Sequence, residues 1–431
     1  MADLRPFRGY RFDLGKVGAL SDVICPPYDV IDPALQEKLY AASDYNCIRL
    51  ELTKDLPGDT ERENKYTRAA RLLNDWIHDD VLQQDSNRCL YAYEQEFSVE
   101  GVTHLRRGFL ARVRLEPFGV GRIFPHEQTL SGPKADRLKL YEATHFNISP
   151  VFSLYPDDGE VFALLDSVLR AMPPREALDH LGVIHRVWAI HDPAIVAKIM
   201  SLLGPKPLFI ADGHHRYETG LKYAESEREA GKLDAEAPAN FCMMMLVGMS
   251  DPGLLILPTH RLVRGINPFT RLQLREILAE HFEYVAEFDT SADCWEHVQL
   301  EESQAVLGFG TVADGKWCVV KLTDSAIMGR LAADQSAVWR SLAVSILHKL
   351  VLEKLVANAA QATPFCEYVH LVSEVDAALA EKRCELVALV PSCSIEHVEE
   401  IAGNREKMPP KSTYFYPKLA TGLVLHSLKK D

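Results

Sequence analysis

Hydrophobic positions follow two different periods in the first third of the chain. In residues 61–78 apolar side chains recur every three or four positions, which predicts an amphipathic helix. Residues 88–98 and 104–115 carry strand-like patterns instead, and Val99, Glu100 and Gly101 form a turn between them. The pattern therefore predicts an antiparallel hairpin that follows the helix.

Short apolar runs alternate with helical patterns from residue 150 onward. Strands are predicted at residues 151–154, 183–190, 208–211, 241–247 and 254–257, and helices at residues 160–171, 193–203 and 214–229. Residues 117–150 precede this alternation as a long, polar and ionisable stretch. Because apolar and aromatic residues are interleaved in it, we predict an ordered irregular loop there.

The pattern changes again near residue 265. Beyond it, helices are predicted at residues 268–282, 336–357 and 395–402, and residues 305–309 and 316–321 predict a hairpin. We therefore expect a mixed α/β (α+β) fold with two regions. Residues 1–265 would form the core, and residues 266–431 a helix-rich α+β region.

Composition and charge exclude several classes of protein. The 431 residues are 47% hydrophobic and carry a formal net charge of −14, which opposes a broad nucleic-acid surface. The sequence has no apolar stretch of membrane-spanning length and no signal-peptide core at its start. The nine cysteines are scattered and form no CxxC pair, which fits a reducing compartment. We expect a cytoplasmic protein without nucleic-acid or membrane partners.

The turn from Asp212 to Arg216 is the strongest candidate for chemistry. The first N–H groups of a helix lack internal partners and attract anions. Arg216 adds a planar guanidinium that can bind phosphate oxygens, while His214 and His215 can donate hydrogen bonds or move a proton. Asp212, Gly213, His214, His215 and Arg216 are therefore predicted to bind the phosphates of a nucleotide.

Two other interpretations of this turn stay open. His214 and Glu218 lie four residues apart and share a helix face, a spacing that suits a metal ion, but the turn offers no third ligand. The turn also suits a plain helix cap in which Asp212 satisfies backbone amides. The identity of any metal ligand stays unknown from the sequence.

A second candidate cluster runs from His126 to Arg137. His126 and Glu127 supply an acid–base pair, and Lys134 and Arg137 supply positive charge. Phosphoryl transfer requires cationic groups and a carboxylate that orients the attacking hydroxyl, so the cluster contains the groups that this reaction takes from a protein. Taken alone, it also fits a solvated charged loop.

Two proline-containing segments complete the set of candidates. Asp29 follows two prolines on a stiff loop and is a candidate general base or metal ligand, and Cys25 before it is a minor candidate nucleophile. Lys411 follows two further prolines, which remove the backbone donors that a P-loop uses. We predict an ordered loop that brings Lys411 or Lys418 to the phosphates.

Four segments together resemble a widespread prokaryotic family catalogued as domain of unknown function number 1015. The matching segments are residues 26–31, residues 126–129 with 132–137, residues 211–218 and residues 408–418. Residues 212–216 also resemble the phosphate-binding turn of the ParB/sulfiredoxin superfamily. That superfamily includes nucleotide-hydrolysing partition proteins, sulfiredoxins and free-serine kinases.

The second resemblance implies a ParB/sulfiredoxin-like core whose turn holds nucleotide phosphates. Sulfiredoxins need a cysteine in this turn, where the present chain has His214. The acidic net charge opposes a DNA-binding partition protein. The small-molecule kinase branch is the one that remains.

We therefore expect a nucleotide-dependent phosphotransferase that acts on a small hydroxylated metabolite, with free serine as the first candidate. ATP or ADP would be the donor, Mg²⁺ would bridge the phosphates, and Lys134 and Arg137 would neutralise developing charge. Glu127 or Asp29 would orient the acceptor hydroxyl, with His126 as the alternative base. A nucleotide hydrolase or phosphatase and a non-catalytic nucleotide or metabolite sensor are the alternatives.

Overall fold

The computed structural model describes residues 2–128 and 131–430, so Thr129 of the second motif segment lies outside the described residues. The chain divides into two compact units. The first comprises Met1–Pro125, Thr129–Leu254 and Pro417–Asp431, and the second comprises His126–Gln128 and Leu255–Tyr416. The first unit thus extends to Leu254 rather than to about residue 265, and the chain returns to it at Pro417.

A mixed sheet, nine-stranded over the described residues, forms the centre of the first unit. The strands of this unit up to Gly248 are β1 Leu4–Arg5, β2 Tyr10–Phe12, β3 Leu82–Gln84, β4 Leu90–Val99, β5 Val102–Arg114, β6 Ile123–Pro125, β7 Phe146–Asn147, β8 Val151–Tyr155, β9 Arg175–Leu178, β10 Ile184–Ile190, β11 Leu208–Asp212 and β12 Phe241–Gly248. The sheet order is β6-β11-β8-β12-β5-β4-β10-β9, with β1 paired to β5. The predicted hairpin is confirmed as β4 and β5, which pair antiparallel up to Val99 and Val102.

The helices of the first unit are α1 Leu14–Val17, α2 Pro33–Ala42, α3 Ile48–Glu51, α4 Lys65–His78, α5 Ser131–Thr144, α6 Glu160–Leu169, α7 Pro193–Leu203 and α8 His214–Glu229. Short polar side chains cap the starts of four of them, α1, α2, α4 and α7. Asp32 caps α2 with a 2.7 Å bond from the Leu35 N–H, and Asn64 forms a capping box with Thr67 at α4. The helix predicted at residues 61–78 therefore starts at Lys65.

Apolar residues on both faces of the sheet bury its centre. Every residue of β12 is buried, and Met244 and Leu246 pack with Val161 and Leu165 of α6 and Ile199 of α7. β12 and β8 pair in parallel, and each has a further neighbour on its other side, so neither is an edge strand. This position explains their continuous apolar runs.

The prediction of an irregular loop at residues 117–150 is wrong. The segment contains β6 and the 14-residue helix α5. Gly132 and Pro133 fall in the first turn of α5, where a missing backbone N–H costs little, and good helix formers follow. Leu140 and Tyr141 are buried, so packing against the unit stabilises the helix despite its polar sequence.

The second unit is built on an antiparallel sheet that is six-stranded over the described residues, in the order β15-β17-β16-β19-β14-β18. Its strands are β13 Leu255–Leu257, β14 His260–Arg264, β15 Phe282–Phe288, β16 Val306–Thr311, β17 Lys316–Leu322, β18 Phe365–Val369, β19 Leu386–Leu389 and β20 Tyr414–Tyr416. β13 and β20 form a separate antiparallel pair. The hairpin predicted at residues 305–321 is confirmed as β16 and β17.

The helices of the second unit are α9 Arg271–Leu278, α10 Ser291–Leu300, α11 Ala326–Leu331, α12 Ala337–Ser341, α13 Ala343–Ile346, a π-helix at Leu347–Val356, α14 Ala357–Ala360, α15 Val372–Ala380 and α16 Ile395–Gly403. Of the three helices predicted in the second unit, the one at residues 395–402 is confirmed as α16, the one at residues 268–282 is shorter, and the one at residues 336–357 is interrupted. The helix predicted at residues 336–357 is interrupted at Leu342, whose extended backbone (ψ 134°) separates α12 from α13.

The segment after Pro417 is tied to the first unit along its length. Thr421 and Cys25 exchange backbone hydrogen bonds of 2.8 and 3.1 Å, and Tyr10 and Leu425 exchange two of 2.9 Å. Strand β21 (His426–Ser427) then pairs with β7. Among the described residues, no helix is both long and apolar enough to cross a membrane.

Candidate functional site

The predicted strand, turn and helix at residues 208–229 are confirmed as β11 and α8, joined at Gly213. The φ angle of Gly213 is 86°, in the left-handed region that favours glycine. A Cβ atom at this position would also lie 3.0 Å from Nε and Nη2 of Arg216. As the N-cap of α8, Gly213 offers no side chain to the first-turn amides, which leaves the helix start shaped for an anion.

Asp212 binds two cations at the end of β11. Its Oδ2 accepts a 2.6 Å hydrogen bond from Nη2 of Arg216, and its Oδ1 lies 2.5 Å from Nζ of Lys418. Arg216 is buried and also donates to the carbonyl of Pro150. Burial alone lowers the pKa of Arg216, but the charges of Asp212, Asp29 and Glu51 raise it above its usual value. The guanidinium is therefore charged at neutral pH.

The backbone around Lys418 is held by two buried polar side chains. Arg106 donates to the carbonyl of Pro417 and to Gln95, and Gln95 donates to the carbonyl of Lys418 at 3.0 Å. Burial lowers the pKa of Arg106 to about 10. Arg106 and Gln95 therefore position Lys418 for its contact with Asp212.

Arg137 belongs to a second, more buried group beside the turn. It donates to the carbonyl of Glu51 at 2.7 Å and to Asp136 at 2.5 Å, and its guanidinium lies 4.2 Å from the ring centre of Tyr28. Glu51 accepts a 3.0 Å hydrogen bond from Ser149. The sequence pattern did not single out Glu51 as a site residue. The one feature that could have indicated it is a carboxylate directly after the apolar Ile48 and Leu50 of α3.

Lys134 and Asp29 are the more accessible charged groups of the first unit's candidate site. Lys134 is about one third exposed and forms a 2.7 Å ion pair with Glu218, which joins α5 to α8. Asp29 is exposed in the 3-10 turn Tyr28–Val30, and its charge acts on Arg216. Both are accessible to a ligand that approaches the turn.

Each cation of this group has a carboxylate partner. The cations are Lys134, Arg137, Arg216 and Lys418, and their carboxylate partners are Glu51, Asp136, Asp212 and Glu218. A phosphate that binds here therefore competes with carboxylates for cations that already lie in place.

His126, Glu127 and Lys411 lie in the second unit, in which they hold one loop. The backbone carbonyl of His126 accepts a 2.7 Å hydrogen bond from Met408, and its buried ring lies 2.8 Å from the hydroxyl of Thr413. Glu127 accepts the backbone N–H of Lys411, whose side chain is exposed. The 408–413 loop is therefore ordered, as predicted, and these contacts are those of a loop anchor.

Two alternative interpretations are weakened by the geometry. Within residues 2–128 and 131–430, no group of three His, Cys, Asp or Glu side chains is arranged to hold a metal ion, and Glu218 is paired with Lys134. Cys25 is buried, and burial raises the pKa of its thiol well above the usual value. A thiolate nucleophile at neutral pH is therefore disfavoured at Cys25.

Sequence comparison gives the family. A family model described as protein of unknown function (DUF1015) matches residues 4–345. The chain belongs to this family. No curated protein matches the chain.

Solved structures with a similar arrangement are known, all at low identity. A free serine kinase in complex with AMP is 12% identical, with 70% of this chain and 89% of that chain covered and a TM-score of 0.32. SbnI from Staphylococcus aureus, with a C-terminal truncation, is 12% identical over 75% and 90% of the two chains, with a TM-score of 0.36. A conserved hypothetical protein from Pyrococcus furiosus is 13% identical over 69% and 90%, with a TM-score of 0.33.

Proposed function

We propose that the protein is a nucleotide-dependent phosphotransferase that acts on a small hydroxylated metabolite, with free serine as the first acceptor to test. The observation that carries the proposal is the start of α8. A left-handed Gly213 opens the helix without a side-chain cap, and Arg216 and Lys418 converge on one carboxylate beside it. Backbone donors next to fixed cations are the arrangement that binds phosphates in many enzymes.

The contacts support different roles for the cations. Arg216 and Lys418 are held in place by Asp212, so a nucleotide would meet donors that need little rearrangement. Lys134 is the more exposed cation and is suited to follow the charge of the transferred group. Arg137 is buried between Glu51, Asp136 and Tyr28, which favours a positioning role over the direct phosphate contact that the sequence predicts.

Asp29 is the best-supported candidate for orienting the acceptor hydroxyl. It is an exposed carboxylate in the same unit as the turn, and its charge acts on Arg216. The roles predicted for Glu127 and His126 stay predictions, and Lys411 stays a predicted phosphate contact. Glu127→Gln is therefore included in the turnover test below.

Mg²⁺ would accompany the nucleotide. The described residues offer no cluster of three metal ligands, but Mg²⁺ commonly takes one or two carboxylates and completes its shell with phosphate oxygens and water. Asp29 and Asp212 are the carboxylates that could supply a protein ligand. When bound, Mg²⁺ would bridge phosphate oxygens and neutralise their charge.

Calorimetric titration with ATP and ADP in the presence of Mg²⁺ tests the phosphate site. His215→Ala removes an imidazole in the first turn of α8, and Arg216→Lys keeps the charge but loses the planar fork. Each variant should weaken nucleotide binding at least tenfold. His191→Ala, at an exposed histidine elsewhere in the same unit, is the matched control. Unchanged affinity in both turn variants would contradict the assignment.

Turnover separates the three functional alternatives. Phosphorus NMR of the protein with nucleotide and serine should show phosphoserine and the dephosphorylated nucleotide. Release of inorganic phosphate at the same rate without serine would favour a hydrolase, and binding without turnover would favour a sensor. Asp29→Asn should slow transfer at least a hundredfold with nucleotide affinity unchanged, whereas loss of rate in Glu127→Gln alone would move the base to Glu127.

A further inference from the structure

A cavity lies in the first unit where the central strands of the sheet end, on the side opposite to the phosphate turn. β11 ends at Asp212, which pairs with Phe152 near the start of the antiparallel β8. β8 then runs away from the turn to Tyr155, beside the parallel Gly248 at the end of β12. The cavity is enclosed there by the ends of these strands, by Arg107 of β5 and by the start of α6.

The size of the cavity restricts its ligand. Its volume is about 90 Å³, well below the roughly 300 Å³ at which pockets for nucleotide-sized ligands begin. Several waters would fit, and so would one small molecule. Phe162, Leu165 and Pro252 supply apolar wall, so the polar groups that face the cavity determine what it recognises.

Asp157 presents a buried carboxylate oxygen to this space. Its side chain is 2% exposed. Within the part of the chain that the structure describes, its Oδ1 atom has no hydrogen-bond partner, and Nζ of Lys206 lies 3.7 Å away. A Cβ atom at Gly248 would lie 2.7 Å from Oδ2, so β12 ends in glycine where this carboxylate crosses it. Asp251 also lines the cavity, but both of its oxygens accept backbone N–H groups, from Gly253 and Arg107.

The wall beside Asp157 is suited to an anion. The N-cap of the ten-residue helix α6 is Gly159, which has a φ of 94° and supplies no capping side chain. Arg107 lies with its guanidinium carbon 3.4 Å from the ring centre of Phe162, in the first turn of α6. Nη1 of Arg107 lies 3.6 Å from Oδ1 of Asp166, and its buried Nε atom has no hydrogen-bond partner among the described residues. An acceptor site and a donor site thus share one small cavity.

We propose that this cavity binds a small α-amino acid. The ammonium group would donate to Asp157, and the carboxylate would accept from the start of α6 and from Arg107. The separation of the two charged ends of such a zwitterion is short enough for one small cavity, and its apolar walls suit a short side chain.

The cavity is too far from the phosphate turn to hold the phosphoryl acceptor. Asp157 lies five positions after Phe152, the partner of Asp212, which corresponds to about 16 Å of extended chain. Direct transfer requires reacting atoms about 3–3.5 Å apart. The proposal therefore concerns a second site and stands independently of the phosphotransferase assignment.

Titration of the full-length protein with glycine tests the proposal, with ethylamine and acetate as probes of each charged end. Glycine should bind the unaltered protein, and ethylamine and acetate at least tenfold more weakly. Asp157→Asn should weaken glycine binding at least tenfold. Asp158→Asn, at the exposed neighbouring carboxylate, should leave it unchanged within twofold.

Three results would overturn the assignment. They are no glycine binding to the unaltered protein, equal binding in Asp157→Asn, or ethylamine that binds as tightly as glycine, which would indicate a simple cation site. If thermal melting shows that Asp157→Asn does not fold, Arg107→Gln serves instead. It should weaken glycine binding tenfold and leave ethylamine binding unchanged. ADP titration on the same samples keeps the two sites distinguishable, because Asp157→Asn should retain its nucleotide affinity.

Discussion

The buried cations around Asp212 in the first unit and the buried Arg261 in the second bind different kinds of partner. In the first unit, Arg216 and Lys418 bind the carboxylate of Asp212. In the second unit, the fully buried Arg261 donates to the carbonyls of Thr259 and Lys411 and contacts the ring of His348 at 3.4 Å. A phosphate can replace a carboxylate as the partner of a cation, but it cannot replace the backbone that Arg261 holds.

The difference teaches that burial of a charge does not by itself indicate a ligand site. Arg216 keeps a raised pKa because carboxylates surround it, whereas burial lowers the pKa of Arg261. The kind of partner distinguishes a site from a structural anchor, and the following experiments test that distinction.

Acidification should produce the largest contrast, in the second unit. Burial lowers the pKa of His260 and of His348 to about 3, against 6.5 in the unfolded chain. The unfolded chain therefore binds protons that the folded unit excludes, and stability is lost as the pH falls from 6.5 toward 3. Between pH 8 and pH 5 the loss should be about 2 kcal/mol for each histidine, or about 4 kcal/mol, measured by urea unfolding.

The first unit supplies the comparison for that measurement. Burial lowers the pKa of His426 to about 3, so acidification to pH 5 lowers the free energy of unfolding by about 2 kcal/mol. Burial also raises the pKa of Asp251 to about 6. Stability from Asp251 is present at low pH and lost as the pH rises through 6, so acidification to pH 5 regains about 1.4 kcal/mol. The contributions of His426 and Asp251 should thus sum to about 1 kcal/mol or less. His260→Asn, which keeps an acceptor for the Val390 N–H, should remove half of the second unit's loss.

Removal of the two buried arginines should separate stability from binding. Arg216→Ala leaves Asp212 with one cation and should cost about 3 kcal/mol of unfolding free energy, together with at least tenfold in ADP affinity. Arg261→Ala should cost a similar amount in the second unit with ADP affinity unchanged within twofold. Urea unfolding and calorimetry measure both. A shared loss of ADP affinity would contradict the division and favour Lys411 as a phosphate contact.

A smaller effect is expected at the turn glycine. Gly213→Ala places a Cβ at a φ of 86° and 3.0 Å from Arg216, so it should destabilise the protein by about 1–2 kcal/mol and weaken nucleotide binding. Gly403 has open space around its Cα. Gly403→Ala should therefore leave the melting temperature unchanged or slightly higher, and equal losses in both variants would argue against a special turn.

The smallest stability effect should come from Lys134. Its ion pair with Glu218 is partly exposed, and such pairs contribute less than about 1 kcal/mol. Lys134→Met should nevertheless weaken nucleotide binding at least threefold, because the cation faces the proposed ligand. Lys232→Met removes a comparable ion pair with Glu227, which lies on α8 as Glu218 does, and should leave nucleotide binding unchanged. Calorimetric titration of both variants compares them directly.

The strand, turn and helix of the proposed phosphate site were predictable because their signals are local. A continuous apolar run, an Asp-Gly pair and a helix-compatible stretch follow one another within 22 residues, 208–229. The helix α5 was not predictable from its polar sequence, because tertiary packing of Leu140 and Tyr141 stabilises it.

The composition of the site was harder to predict because its partners are distant in sequence. Glu51 meets Arg137 across 86 residues, and Arg106 meets Pro417 across 311. His126 and Lys134 are eight residues apart, yet they belong to different units. Proximity along the chain therefore does not show which unit each residue of the predicted cluster belongs to.

The return of the chain to the first unit at Pro417 has a consequence for biosynthesis. Lys418 leaves the ribosome only after the whole of residues 255–416 has been translated, so Asp212 and Arg216 exist for that interval without their third partner. At about 5–20 residues per second, the interval lasts roughly 10–30 s. A nascent chain that is held or cleaved before Pro417 would carry the phosphate turn without the cation that completes it, and nucleotide binding would then report on completed translation.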